Sequence, residues 1–315
     1  MTIAVFGEAL IDLIVGDDGA YRPHLGGSPY NVAIGLARQG VRVSYLSSLS
    51  DDNFGDQLLG SLLKEGVQVP LKRRSLWPSS LALVTIDDQH QADYRLYREG
   101  IADKDTSFEE IVENLPKNLR VFHTGSLAIT PSQLPKIRRV FDLMREQGVL
   151  ISIDINIRIR ASVDRKKYID GVRSLLRMAD IVKASDEDLL ELDLNADVRT
   201  SAEMVYREMG SGLLVLTEGN GGAVVYSGQG VVTRPAYRVS KVIDTVGAGD
   251  TFHSAFLAYL IRQWQGSTPT TSVNLEVLGQ ALNYACAAAA INVSRAGCSP
   301  PSDKEVLGFI VAAKF

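Results

Sequence analysis

The sequence predicts an α/β fold, a parallel β-sheet sandwiched by helices, with a small β-sheet attached to it. Three observations predict it. Short apolar runs closed by glycine or a polar residue alternate with segments whose apolar residues recur at helical spacing. That alternation is interrupted once, by two strand-like runs at 80–86 and 93–98 with only a polar stretch between them. The composition, 45% hydrophobic and 22% charged with a mean hydropathy of +0.03, suits a chain that buries a sizeable core. A chain of 315 residues can form two domains, but α/β folds often run this long as one. No internal repeat, low-complexity tract or long linker divides it, so 1–315 reads as a single unit.

Residues 3–6 are an apolar run closed by Gly7, a buried strand. Residues 8–15 are a second strand-like run, and it carries Asp12. A carboxylate in an apolar run is costly to bury unless it is paired, so the plainest place for Asp12 is a strand end facing water. Gly26-Gly27 precedes a helical pattern that runs through Leu36 and stops near Gly40. Ser28 can cap that helix, Pro29 suits its start, and Asn31 falls in its first turn. A strand at 41–49 and a helix at 54–65 follow. The runs at 80–86 and 93–98, around Asp87-Asp88-Gln89-His90, read as a hairpin outside the main sheet. Strand alternation places Tyr94, Leu96 and Arg98 on one of its faces.

From Arg120 the order is regular: strand 121–122, helix 131–147, strand 149–153, helix 165–178, strand 181–184. Such alternation predicts parallel strands, which bind ligands at their carboxyl ends. Polar motifs stand at those ends. Asp154-Ile155-Asn156-Ile157-Arg158 is one, and Lys183-Ala184-Ser185-Asp186-Glu187-Asp188 is another. The second also reads as an acid-rich helix start with Ser185 as its cap. Strand 213–216, the turn Thr217-Glu218-Gly219-Asn220-Gly221-Gly222 and strand 223–226 come next. A long alanine-rich helix at 273–293 carries Asn283, and 295–301 is a loop.

The stretch Asp244-Thr245-Val246-Gly247-Ala248-Gly249-Asp250-Thr251-Phe252 leads into a helical pattern marked by Phe252, Ala255, Phe256, Tyr259 and Leu260. Gly247-Ala248-Gly249 therefore lies where a loop becomes a helix. There the first N–H groups lack helical partners and the macrodipole is positive, a setting that binds phosphate. Asp250 falls in the first turn. Taken alone it is either an acid that complements the dipole or a base that takes a proton from a hydroxyl attacking the phosphate.

This stretch resembles the C-terminal signature of the ribokinase-like (PfkB) carbohydrate kinases. Gly26-Gly27-Ser28-Pro29-Tyr30-Asn31-Val32-Ala33 resembles their N-terminal signature. The resemblance covers essentially the whole chain. It implies a ribokinase-like fold with a β lid over the sugar, formed from about 9–25 and 79–103, that is often also the dimer contact. It implies Asp250 as catalytic base, with Gly247, Ala248 and Gly249 around the transferring phosphoryl group. Asp12, Gly26, Gly27 and Asn31 would hold the sugar, with Arg98 from the lid and Arg158 from the Asp-x-Asn-x-Arg element. Lys183, Ser185, Thr217, Gly219, Gly222 and Asn283 would line the nucleotide. The cofactors implied are ATP, Mg2+ and K+. Where the family often has Asn-x-x-Glu, this chain has Ser185 and Asp188, which leaves Asp188 to meet magnesium through water. Asp244 and the carbonyl of Val246 would hold the monovalent cation.

The segment Tyr94-Arg95-Leu96-Tyr97-Arg98-Glu99-Gly100, followed by Ala102-Asp103, is similar to the bacterial fructokinase branch. The expected reaction is therefore phosphorylation of the primary hydroxyl of D-fructose to fructose 6-phosphate. A kinase of the same fold acting on 2-keto-3-deoxygluconate or a nucleoside is the alternative. A homodimer through the lid is expected.

Other classes find no support. Net charge is −4, and basic residues cluster only in short groups such as Lys72-Arg73-Arg74 and Arg165-Lys166-Lys167, which argues against nucleic acid or a membrane surface as a partner. The two cysteines, Cys286 and Cys298, have no metal-ligand spacing. The Walker-type phosphate loop and the Gly-x-Gly-x-x-Gly fingerprint are absent. The N-terminal run lacks the basic stretch of a signal peptide, so the expected compartment is the cytoplasm. His253 reads as a helix-surface or packing histidine.

Overall fold

A computed structural model describes every residue except 17, 87–91, 193, 195–196, 265–272 and 314–315. The chain opens with β1 (Thr2–Val5), β2 (Leu10–Val15) and β3 (Tyr21–Gly26), then α1 (Ser28–Arg38), β4 (Arg42–Tyr45) and α2 (Asn53–Lys64). Next come β5 (Ser80–Ile86), β6 (Ala92–Tyr97), α3 (Phe108–Glu113), β7 (Leu119–Gly125), α4 (Leu134–Glu146) and β8 (Leu150–Asp154). Then α5 (Arg165–Leu176), β9 (Ile181–Ser185), α6 (Asp186–Glu191), α7 (Val198–Met209) and β10 (Leu213–Thr217) lead to β11 (Ala223–Ser227) and β12 (Gly230–Arg234). The chain closes with α8 (Ala248–Gln263), α9 (Leu275–Val293) and α10 (Asp303–Ala312).

Among the described residues the large sheet has eight strands in the order β12-β11-β10-β9-β8-β7-β1-β4. The strands from β10 to β4 are parallel, and β11 and β12 add an antiparallel edge. The period-two geometry of a strand explains the two cores. Ile3 and Val5 pack with α1, α8 and α9 on one face, whereas Ala4 and Phe6 pack with α4, α5 and α7 on the other. Leu213 and Val215 alternate with Leu214 and Leu216 in the same way. A strand buried on both faces reads as a continuous apolar run, which is why these strands were legible in the sequence.

The small sheet is larger than a hairpin: its order is β3-β2-β5-β6. The turn expected at 87–90 lies outside the described residues, but β5 and β6 do pair antiparallel. β2 pairs with β5 in parallel, across β3, α1, β4 and α2, which a local sequence reading cannot see. β3 carries Pro23, is exposed from Tyr21 to His24 and shows no apolar alternation, so no period marks it as a strand.

Register sorts the faces of this sheet. Asp12 pairs with Ala82, and Ala82 with Leu96, so all three share one face. That face packs on Leu127 and Ala161 of the larger unit. Leu81 and Leu83 alternate to the other face, with Tyr97 and Arg95 as their partners. The side chain of Tyr94 lies outside the described residues. No described helix is long and apolar enough to cross a membrane.

Candidate active site

The strands of the large sheet end together. Gly125 pairs with Asp154, Asp154 with Lys183, and Ser185 with Thr217, so the motifs read from the sequence stand side by side at the carboxyl ends of β7, β8, β9 and β10. The amino end of α8 faces the same edge, beside Lys183.

Helix α8 starts from Gly247, whose φ is +70°. A side chain there would be strained and would also place its Cβ 2.2 Å from Cys298 Sγ, so the turn requires glycine. Thr251 N–H donates to Gly247 O at 2.8 Å and begins the helical ladder. The N–H groups of Gly249 and Asp250 donate to nothing among the described residues. They are the unpaired donors of a helix start, the setting expected for an anion.

A methyl group on Gly249 would sit 3.2 Å from Lys183 Nζ, so the ammonium lies against this turn. Lys183 is buried and donates to both oxygens of the fully buried Asp154 at 3.0 Å. Burial opposes the lysine's charge, but the Asp154 carboxylate, with Asp188 and Asp250 further off, holds its pKa above the ordinary value.

Asp250 is 7% exposed. Its Oδ1 accepts from Ser28 Oγ at 2.6 Å and its Oδ2 from Asn31 Nδ2 at 2.8 Å. Burial raises its pKa and Asp154 adds to the rise, while the Ser28 and Asn31 bonds and Lys183 oppose it. A carboxyl group raised by burial yet held by donors is suited to accept a proton. One expectation is corrected here. Ser28 does not cap α1: the cap is Gly27, which makes no side-chain cap bond, and the Ser28 hydroxyl goes to Asp250 instead.

Asp12 does not face water at a strand end. It lies within β2, on the face turned toward the larger unit, and burial raises its pKa to about 6, with Arg158 opposing and Asp250 adding. Arg158 is exposed and donates to Ile157 O at 3.2 Å. A Cβ on Gly26 would lie 2.4 Å from Asp12 Oδ2, and one on Gly27 would lie 2.5 Å from Glu8 O. Both glycines allow the turn to close against the lid. Arg98 is buried at the lid base, bonded to Asp103 at 2.7 Å and to Ser80 at 3.0 Å.

Ser185 and Asp188 form a capping box at the start of α6. Asp188 Oδ2 accepts from Ser185 N and Oγ, and its Oδ1 accepts from Ile157 N at 2.7 Å, which ties α6 to the loop after β8. No group of three or more His, Cys, Asp or Glu able to hold a metal occurs among the described residues. Thr217 closes β10 and donates to Ala184 O, and Gly219 and Gly222 adopt φ of +50° and +99° in the turn after it. Asn283 on α9 accepts from Tyr237 Oη at 3.0 Å. Asp244 accepts from Val246 N at 2.9 Å and Gly297 N at 2.8 Å, and the Val246 carbonyl accepts from Asn292 Nδ2 at 2.9 Å. Asp244 thus ties the segment before α8 to the loop after α9, and each of these oxygens keeps lone-pair capacity.

One feature escaped the sequence reading, and one was left between two places. Glu8, in the link between β1 and β2, is 1% exposed and accepts from Ser28 N at 3.3 Å; its only signal was an acid at the head of the 8–15 run. Of the two places expected for His253, the structure gives packing rather than the helix surface. It is fully buried, 2.8 Å from Ser152 Oγ, which lies 3.1 Å from Nδ1 of the equally buried His123. Burial, with Lys183 adding, lowers the pKa of His253 to about 3, so its imidazole is neutral where it meets Ser152.

The family model for pfkB family carbohydrate kinases matches residues 2–305. The chain belongs to this family. The kinase is 33% identical over 258 residues to a fructokinase of Rhizobium leguminosarum bv. trifolii, covering 81% of this chain and 78% of that one. Its structure is similar to that of the ATP-bound fructokinase from Xylella fastidiosa, with a TM-score of 0.92 and 28% identity over 100% of this chain and 99% of that one. It also shares the fold of a double mutant of the Vibrio cholerae O395 fructokinase in its fructose-, ADP- and potassium-bound form. There the TM-score is 0.83 at 23% identity, over 98% of this chain and 97% of that one.

Proposed function

We propose that the kinase transfers the γ-phosphoryl group of ATP to the primary hydroxyl of D-fructose, giving fructose 6-phosphate and ADP. One observation carries the reading. A buried carboxylate, Asp250, stands in the same helical turn as unpaired backbone donors and beside a buried ammonium, Lys183. The hydroxyl oxygen attacks the γ-phosphorus, the bond to the ADP oxygen breaks, and the hydroxyl proton passes to Asp250. The N–H groups after Gly247 and the Lys183 ammonium stabilise charge on the transferring oxygens, an electrostatic and positioning role. Fructose would lie between the lid face that carries Asp12 and the start of α1, with Gly26, Gly27, Asn31, Arg98 and Arg158 around it. ATP would extend along the ends of β9 and β10, past Ser185, Thr217, Gly219 and Gly222, toward Asn283.

Magnesium would be held chiefly by the ATP phosphates and water, and would neutralise charge on them. Asp188 is the acid placed to meet its water shell, since its inward bonds leave one lone-pair site of a carboxylate free. Potassium would sit against Asp244 and the Val246 carbonyl. The fructokinases among its relatives support fructose over the 2-keto-3-deoxygluconate and nucleoside alternatives.

An ATP-consumption assay across fructose, other hexoses, 2-keto-3-deoxygluconate and nucleosides, with Mg2+ and K+ titrated, tests this. Fructose is expected to give the highest kcat/KM, with activity lost on magnesium removal. A preference of about tenfold for another substrate overturns the fructose assignment.

We also propose a homodimer through the lid. Tyr97 on β6 is 59% exposed and Tyr21 on β3 is 45% exposed, apolar surface that a second lid would cover. Sedimentation at micromolar concentration should show a dimer, and a monomer throughout that range opposes it.

A further inference from the structure

Both oxygens of Asp250 are engaged by α1, the helix that begins at the sugar side of the cleft. The Ser28 bond is the shorter, and it is made by a side chain at a helix start where capping would be its ordinary task. We infer that Ser28 and Glu8 are positioning residues for the base: the Ser28 hydroxyl orients the Asp250 carboxylate, and Glu8 fixes Ser28 and links it to the lid. This rests on the reading of Asp250 as the base.

The serine hydroxyl has one proton, and it is directed at Asp250 Oδ1, so the carboxylate plane is set by where Ser28 stands. Ser28 is itself held from behind. Its N–H, one of the unpaired donors of α1, goes to Glu8 Oε1 at 3.3 Å. The intervening Gly27 lies directly on the Glu8 backbone, with no room for a Cβ. Glu8 stands between β1 of the large sheet and β2 of the lid, so it belongs to both.

The other oxygen, Glu8 Oε2, is buried and has no hydrogen-bond partner among the described residues. An orphan carboxylate oxygen is costly, so stability alone does not account for an acid here. The groups around Glu8 are the lid-base Arg98 and Asp103, Ser126 after β7, and the hydroxyls of Tyr45 and Tyr168. Burial raises its pKa to about 7; Asp103 adds to the rise, and Arg98 and Ser126 oppose it. A lid contact that moves Arg98 or Asp103 therefore alters the field at the group that holds Ser28. The titratable groups that act on Asp250 are Asp154, Lys183, Asp12 and Cys298. None of them would be removed by changing Ser28.

The test uses the full chain with its preferred sugar and compares Ser28→Ala, Glu8→Ala and Glu8→Gln. Ser28→Ala removes a bond that favours the carboxylate form of Asp250, so the pKa of the base rises. The acid limb of the kcat–pH profile should move up by about one unit, and kcat at its plateau should fall about tenfold, with the sugar KM within about twofold. Glu8→Ala should lower kcat in the same manner. Glu8→Gln keeps an acceptor for Ser28 N–H and should recover most of that loss. Melting curves establish that each variant is folded at the assay temperature. A folded Ser28→Ala with the parent's kcat and an unmoved acid limb overturns the inference. So does Glu8→Gln that is no better than Glu8→Ala. Failure of the base reading is separate, because it would appear as activity retained in Asp250→Asn.

Discussion

Asp250→Asn should lower kcat by about 10²–10⁴-fold, the usual effect of removing a general base, while leaving nucleotide affinity near that of the parent. The substitution is nearly isosteric, and the site can accommodate it. The Asn carboxamide oxygen can accept from Asn31 Nδ2, and its amino group can turn to Ser28 Oγ, which has acceptor capacity. The helix start and Lys183 are untouched, so the anion site stays formed. Loss of a buried carboxylate whose pKa burial has raised also removes a desolvation cost, so the variant should be at least as stable as the parent. The deficit should then fall on kcat rather than on KM for either substrate, as for an interaction made in the transition state. Steady-state kinetics with calorimetric titration of nucleotide measures this. A folded variant with kcat within about threefold of the parent would fall far short of the general-base range and would sink the assignment.

Lys183→Met should have the largest effect on stability, about 3–5 kcal/mol, because it leaves a buried carboxylate without its cation. Asp154 is fully buried, and both of its oxygens accept from Lys183 Nζ. Without the ammonium, burial drives Asp154 toward its protonated form. The variant's native state then binds more protons than its unfolded chain, so its deficit should shrink as the pH falls. Adding Asp154→Asn should restore part of the loss, since the two residues share one interaction and their effects are not additive. Activity should suffer as well, because the ammonium against Gly249 is lost from the phosphoryl site. Denaturant unfolding of the two single variants and the double variant near neutral pH measures the cycle. A Lys183→Met protein as stable as the parent would show that the pair contributes nothing net, and a double variant no better than the single would show the two act separately.

How much of the site could be read depended on the sequence distance over which each part is made. The start of α8 was legible because the glycines, the unpaired N–H groups and Asp250 are neighbours in the chain, and the turn is set by their own backbone. The cap of α6 by Ser185 was legible for the same reason. The bond from Asp188 to Ile157 was not, because it joins loops after two different strands. Ser28 read as a cap because capping is what a serine does locally. Its partner Asp250 is 222 residues away, and no local rule finds it. The sequence left His253 undecided between surface and packing, since α8 is apolar on most of its circumference and gives no face to sort by.

The sequence by itself determined the class of fold, the family and which motifs stand at the carboxyl edge. Strands buried on both faces must be continuous apolar runs, helices must show their period, and a phosphate-binding helix start must carry small residues; each of these is a local constraint written in consecutive residues. Only the tertiary structure decided what surrounds Asp250 and how the small sheet is built. β2 and β5 meet in parallel across four intervening elements, and that register turns Asp12 toward the larger unit rather than to water. The buried partners Glu8, Ser28, Asn31, Asp154 and Lys183 take their roles from neighbours distant in the chain. A polar side chain in a folded interior is defined by the donors and charges that packing brings to it, and packing is a property of the whole chain rather than of any stretch.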